Sequence, residues 1–305
     1  MTTELELKYL ISAEAAEQLP NLIRPVARII HSDESKLLNA YFDTADNWFR
    51  QHDFGLRSRQ KQGQFEQTIK LAGKQHGALQ MRPEYNLACA GVIPDLAKFP
   101  AEIWPKDSAD IVDISQLQQN LIELFRTDFT RKRWLLELED KTQIELVYDF
   151  GQVLAADKAQ QISELELEFI SGDAKQLFVL ARHLIQHLSL QTGWLSKAAR
   201  GYQLRQGSAL SLPADIGQDL LQQITALQQA EACFIQQKSA DALQFCYQAL
   251  IAIAGSLHNH ERLQPWYEVA MSLADMAKED ASILGSEQYN LLLLALSEYL
   301  FSIIE

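Results

Sequence analysis

Between residues 3 and 170 the chain is dominated by short segments in which apolar and polar residues alternate, the period-two pattern of half-buried strands. These segments are 3–10, 38–44, 54–61, 64–72, 80–88, 126–138, 143–149 and 162–170. Helical spacing interrupts them at 12–24, with Ser12 as the N-cap, at 114–125, and at 173–189 after Gly172. Strands outnumber helices and no regular strand–helix–strand alternation is present. The pattern therefore predicts an α+β architecture built on an antiparallel curved sheet or barrel, rather than a doubly wound fold. Further on, GSALSLPADIG (207–217) collects Gly, Ser and Pro and reads as a linker. The segments 215–238, 239–257, 261–280 and 286–304 are rich in Ala, Leu and Gln at helical spacing, with breaks at Gly255, Pro265 and Gly285. They predict a small all-α bundle of three or four helices. The predicted division is residues 1–206, a linker at 207–217, and a helical domain over 218–305.

Alternation also sorts the charges, because successive strand residues point to opposite faces. In TELELKYL, Glu4, Glu6 and Lys8 share one face while Leu5, Leu7 and Tyr9 share the other. The same rule groups Arg57, Arg59 and Lys61, then Glu66, Thr68 and Lys70, then Arg82 and Glu84, and then Arg131 and Arg133. It also groups Glu145 with Asp149, and Glu164 with Glu166 and Glu168. Arginine suits bidentate recognition of phosphate or carboxylate. Clustered glutamates suit a hard divalent cation such as Mg²⁺ or Mn²⁺. Alternation does not say which face is inside. The apolar faces can form an ordinary core with the charges in water, or the sheet can close with the charges inward as a tube for a highly charged anion.

Composition narrows the partners. The chain has 305 residues, 47% apolar and 22% charged, with a formal net charge of -13. Residues 210–305 carry only Lys238, Arg262 and Lys278 against twelve acidic residues, so the basic chemistry lies before them. This balance argues against a general nucleic-acid binder or a binder of acidic membranes. Cys89, Cys233 and Cys246 lack any CxxC spacing, which excludes a zinc site of that type and suits a reducing cytosol. No charged-then-apolar leader is visible, and the longest apolar run, Leu291–Leu296, is far short of the roughly 20 residues that span a bilayer. The expectation is a cytoplasmic protein. GxxxxGK[ST] does not occur, so phosphate would need another device. His183 and His187, four apart, lack the glutamate of HExxH and read as packing or surface residues. Asp43 reads as a turn or hydrogen-bonding residue, and Tyr41, Trp48 and Trp134 read as packing residues.

Several motifs in order resemble one family. ELELK at 4–8 is similar to the E-x-E-x-K signature of the CYTH family, the triphosphate tunnel metalloenzymes. It is followed by YFDT (41–44), GLRSR (55–59), QTIK (67–70), RPEYN (82–86), TDFTRKRW (127–134), ELELE (164–168) and SKAARGY (196–202). RPEYN, TDF-x-R and SKAARGY resemble the bacterial inorganic triphosphatases most. The resemblance implies an eight-stranded antiparallel β-barrel with flanking helices and its charged faces inward. It implies that Glu4, Glu6, Glu164 and Glu166 bind Mg²⁺ or Mn²⁺, with Glu168, Glu145 and Asp149 as further candidates. It implies that Lys8, Arg57, Arg59, Lys70, Arg131, Arg133 and Lys197 hold a triphosphate, helped by Arg82 and Arg200, with Glu4, Glu6 and Lys8 also as catalytic residues.

The implied reaction is metal-dependent hydrolysis of tripolyphosphate to pyrophosphate and phosphate. Thiamine triphosphate hydrolysis and adenylate cyclisation are the alternatives on the same scaffold, and a non-catalytic polyanion-binding module is the alternative of another class. A mere binder has no need of metal carboxylates, which argues against the last. The acidic helices resemble a short or diverged CHAD module and are expected to dock on the barrel or mediate a homodimer.

Overall fold

The computed structural model describes residues 2–105, 113–278 and 280–303. Positions 279 and 304, which fall within the two last predicted helical segments, lie outside the described residues. In chain order the elements are β1 (Thr2–Ile11), α1 (Ala13–Ala16), α2 (Leu19–Ile23), β2 (Arg28–Asp43), α3 (Trp48–Gln51), β3 (Gly55–Lys61), β4 (Gln64–Lys70), β5 (Lys74–His76), β6 (Leu79–Cys89), α4 (Ile114–Gln119), β7 (Ile122–Glu137), β8 (Gln143–Ala155), β9 (Lys158–Ser171), α5 (Gln176–Ile185), β10 (Leu190–Thr192) and α6 (Lys197–Gln206). After an irregular stretch at 208–219 come α7 (Leu220–Gln237), α8 (Ala240–Leu257), α9 (Tyr267–Ala277) and α10 (Glu287–Ser302).

The strands pair in the order β10-β1-β9-β8-β7-β2-β3-β4-β6-β5, and β1 also pairs with β6. That pairing closes eight antiparallel strands into a barrel, with β5 and β10 as short additions beside the seam. Closure removes the exposed edges that an open sheet would leave. The barrel is inverted relative to an ordinary globular core. Leu5, Leu7 and Tyr9 point outward and pack with Leu165, Leu167 and Phe178 beneath α5, while Glu4, Glu6 and Lys8 point inward. The main apolar core therefore lies outside the barrel wall, and each fully buried leucine there contributes roughly 1.5–3 kcal/mol. A second layer around Phe49, Leu56, Ile69 and Trp104 covers the far side of the barrel.

One end is plugged by α6, which packs against β7, β8 and β9. Phe125, Phe129, Val153 and Tyr202 form an apolar layer there. Gly201 faces the Phe125 ring so closely that a Cβ would lie 2.1 Å from it. Asp43 secures the plug. It accepts hydrogen bonds from the amides of Thr44, Phe49 and Arg50 and from the Tyr202 hydroxyl, at 2.5 to 3.1 Å.

The helices α7–α10 pack around a separate cluster that includes Leu227, Leu250, Leu273 and Leu292. α8 is long and apolar enough to cross a membrane by length and composition, and its Cys246, Leu250, Ile253 and Leu257 face is buried in that cluster. Leu294 and Phe301 of α10 join the core outside the barrel, so the apolar packing continues across residues 207–217.

Candidate active site

The inward faces of the barrel strands converge on a cavity of about 220 Å³. Its wall includes Glu4, Glu6, Lys8, Arg57, Arg59, Lys70, Arg82, Arg131, Glu145, Glu166, Glu168 and Lys197. These residues come from β1, β3, β4, β6, β7, β8, β9 and the first turn of α6. Circling the barrel, β3 lies four strands from β9 in either direction, so the Arg57–Arg59 strand faces the Glu166–Glu168 strand across the tunnel.

On the acidic wall, the β1–β9 register sets Glu6 opposite Glu168, and the β8–β9 register sets Glu145 opposite Glu168. Three glutamates thus stand side by side on adjacent strands, an arrangement that is unfavourable unless a cation offsets it. Burial, with Glu166 and Glu4 nearby, pushes the Glu6 carboxyl up to about 8. Burial, with Glu4 and Glu145 nearby, pushes Glu168 up to about 7. Hard carboxylate oxygens carrying more negative charge than their surroundings neutralise are a donor set that fits Mg²⁺ or Mn²⁺. Among the described residues, no three His, Cys, Asp or Glu side chains already stand as a formed metal cluster. Instead, Glu4 is bound by Lys70, which also lies 3.5 Å from Glu84.

On the basic wall, Arg57 and Arg59 form no ion pair with a carboxylate among the described residues. The Arg57 Nε is buried without a hydrogen-bond partner. Arg59 donates through Nε to Asn39 Oδ1 at 2.9 Å, and Asn39 donates onward to Thr127. Burial, then the like charges of Arg57 and Arg131, lower the Arg59 guanidinium to about 9. Lys8 is buried too, and its ammonium donates to the Leu195 carbonyl at 2.9 Å. Uncompensated cations on one wall and crowded carboxylates on the other leave room for an anion and a cation together.

A third set is internally compensated. Arg131 binds Asp149 through two bonds of 2.7 Å and reaches Glu166 at 3.0 Å. Lys197 lies 2.8 Å from Asp149, 2.6 Å from Glu164 and 2.8 Å from Glu166. Burial opposes the charge of Glu166, but Lys197, Arg131 and Lys8 outweigh it and hold the group well below the usual carboxylate range. Burial likewise opposes the charge of Asp149, and Arg131 and Lys197 overcome it.

Not every predicted residue reaches the cavity. Glu164 and Asp149 are wholly buried behind its wall, where they anchor Lys197 and Arg131. Arg200 binds Glu164 at 2.5 Å and the Gln161 carbonyl, and it faces a separate cleft of about 1070 Å³ between the barrel and the helices. That larger cleft is lined mainly by uncharged polar and apolar groups. Arg133 is not among the lining residues; it pairs with Asp33 at 2.6 Å and with the wall residue Glu145 at 3.2 Å. Arg82 lines the mouth, where its guanidinium donates to the Leu71 and Asp53 carbonyls. Conversely, Tyr41, Glu66, Glu84, Asn86 and Phe129 line the tunnel without having been assigned to the site from sequence. The face shared with Arg82 identifies Glu84 and Asn86, and the face shared with Lys70 identifies Glu66.

A CYTH domain model matches residues 2–202. An inorganic triphosphatase of Haemophilus influenzae is 32% identical over 205 residues, covering 67% of this chain and 55% of that protein. The chain thus spans about half the length of that curated relative. Among solved structures, a Hippeastrum protein with a dominant triphosphatase activity is 16% identical, with a TM-score of 0.46 over 67% of this chain and 96% of that one. A Pyrococcus horikoshii protein is 14% identical, with a TM-score of 0.36 over 62% and 94%.

Proposed function

The chain belongs to the CYTH domain family, and from that premise we propose that it hydrolyses inorganic triphosphate to pyrophosphate and phosphate within the tunnel. The observation that carries this reading is the pair of opposed walls: Arg57 and Arg59, which have no ion-pair partner among the described residues, face Glu6 and Glu168, adjacent glutamates that likewise form no ion pair among those residues. Tripolyphosphate with a divalent cation complements both. A cavity of about 220 Å³ is smaller than the roughly 300–1,000 Å³ typical of sites for drug-sized ligands, which favours an occupant without an organic head group. The aromatic faces at the wall are also engaged. Tyr41 stacks on Phe125 at 4.7 Å, and Phe129 lies under Lys197 at 5.5 Å and Arg131 at 5.9 Å. These contacts reduce the aromatic surface on which a thiamine or adenine ring could stack.

In this reading Glu4, Glu6, Glu166 and Glu168 would hold Mg²⁺ or Mn²⁺, with Glu145 beside them. Such an ion would supply Lewis-acid neutralisation of phosphate charge. Arg57, Arg59, Lys8 and Lys70 bind the phosphate chain, and positioning with charge stabilisation supplies most of the catalysis in phosphoryl transfer. Arg131 and Lys197, fixed by Asp149 and Glu164, keep their orientation when the anion enters. A glutamate not engaged by the cation is placed to accept the proton of the attacking water.

The test is phosphate release from tripolyphosphate, thiamine triphosphate and ATP, each with Mg²⁺, Mn²⁺ or chelator. Metal-dependent turnover of tripolyphosphate far above the other two is expected. Tight tripolyphosphate binding with no turnover under either metal would instead establish a binding module.

A further inference from the structure

α10 touches the barrel at two points along one edge of β1, the strand that carries Glu4, Glu6 and Lys8, where β6 pairs with its first half and β10 with its end, and it does so through two buried polar residues. Asn290 is 2% exposed. Its Nδ2 donates to the Leu190 carbonyl at 2.8 Å and to the Ser286 carbonyl at 3.0 Å, and its Oδ1 accepts from the Thr192 hydroxyl at 3.4 Å. Ser297 is wholly buried, and its Oγ accepts from the Ala78 amide at 3.0 Å while donating to the Leu293 carbonyl at 2.7 Å. Seven residues separate the two, two helical turns or about 10 Å along one face. Gly77 lets the helix approach, since a Cβ there would lie 2.2 Å from the Ser297 Oγ.

These contacts fall at sensitive points of the sheet. Among the described residues β10 is a three-residue edge strand paired only with Tyr9–Ile11 of β1, and Asn290 satisfies the Leu190 carbonyl there. The segment that follows β10 holds Lys8. The Gly193 amide donates to the Lys8 carbonyl at 3.0 Å, and the Gly193 backbone runs so close to the Lys8 side chain that a Cβ would lie 2.9 Å from its Cγ. The Leu195 carbonyl accepts from the Lys8 ammonium. Ala78, further along the same edge of β1, immediately precedes the residues of β6 that close the seam against Thr2–Leu7.

We propose that α10 is a splint for the barrel seam and that Asn290 is a positioning residue, acting through Leu190–Leu195 to set Lys8 in the tunnel. The inference rests on the reading of Lys8 as a substrate ligand. The helical region then serves the tunnel chemistry although none of its described residues lines the cavity wall.

Asn290→Ala in the full chain, alone and combined with Lys8→Ala, tests this, with Leu250→Ala as a control that destabilises the helical core without touching β10. Isothermal titration with tripolyphosphate and steady-state kinetics give affinity, KM and kcat, and hydrogen exchange follows the Gly193 amide. Asn290→Ala is expected to speed Gly193 exchange and weaken tripolyphosphate affinity roughly fivefold to tenfold, about the worth of one hydrogen bond. The loss should largely vanish in the Lys8→Ala background, while Leu250→Ala lowers the melting temperature and leaves affinity unchanged. An affinity loss that persists in full without Lys8, or one matched by Leu250→Ala, would overturn the proposal. If the unmutated chain neither binds nor hydrolyses tripolyphosphate, the proposed function fails, and Gly193 exchange alone then decides the splint: faster exchange in Asn290→Ala only supports it, and unchanged exchange overturns it.

Discussion

At the scale of single residues the tunnel holds two kinds of charge, and they respond differently to mutation. Arg57 has no ion-pair partner among the described residues, so Arg57→Ala removes a ligand without orphaning a carboxylate there. Tripolyphosphate affinity, read by titration calorimetry, is expected to fall about tenfold to a hundredfold, the worth of charge-assisted hydrogen bonds, with little change in melting temperature. Glu6 is held protonation-prone by burial, Glu166 and Glu4. Glu6→Gln should therefore raise the metal-free melting temperature in a thermal scan while abolishing metal-dependent phosphate release, a trade between stability and function. Sequence alternation identified which charges share a face, because side-chain direction in a strand is set by chain geometry alone. It could not separate Arg57 from Arg133, since the Arg133 ion pairs depend on neighbours distant along the chain, Asp33 at 100 residues and Glu145 at 12.

At the scale of elements, the long-period features were legible and the short ones were not. The core of each barrel strand follows from its alternation. β2 begins at Arg28 rather than 38 because its first half, exposed on most residues, is held by the ladder to β7 and not by burial. The predicted helix over 114–125 stops at Gln119, and its last residues open β7 instead. β8 and β9 extend into a hairpin through Ala156 at φ 53°, past the predicted ends at 149 and 162. β5 and β10, three residues each, are too short to show a period. α6 was visible as a motif but not as a helix. Gly201 in its middle costs about 1 kcal/mol of helix propensity, and its close approach to Phe125 accounts for it. Gly201→Ala should push α6 outward, carry Lys197 with it and raise the KM for tripolyphosphate, with a lowered melting temperature as the accompanying sign. In α7, Glu231 is buried against the Tyr289 hydroxyl, which donates to it at 2.8 Å, and burial raises its carboxyl to about 8. The folded chain thus holds the proton more tightly than the unfolded one. Stability from this group is complete below the ordinary carboxylate pKa and is lost as pH rises toward 8. Melting temperatures of Glu231→Gln across that window should show a shallower fall than those of the unmutated chain.

At the scale of the whole molecule, residues 207–217 divide the chain covalently, and we propose them as the domain boundary, yet the packing crosses it. Phe301 lies 5.7 Å from Phe178 between ring centroids, and Arg182 pairs with Glu298 at 2.7 Å. A chain ending at residue 206 would expose that apolar surface together with the β10 edge. Size-exclusion chromatography and a melting curve should show it associating or unfolding at lower temperature than the full chain. The inverted barrel has one more consequence. Along β1 the odd letters Leu5, Leu7 and Tyr9 spell the foldable message, and the even letters Glu4, Glu6 and Lys8 spell the chemical one. Two texts interleaved at single-residue spacing can be edited separately by substitution, so the interior can be rewritten for a new ligand without disturbing what keeps the chain folded. Neither text survives a frameshift. Deleting one residue from the middle of such a strand would send glutamate into oil and leucine into the tunnel at once, so these strands should accept changes of letter far more readily than changes of length.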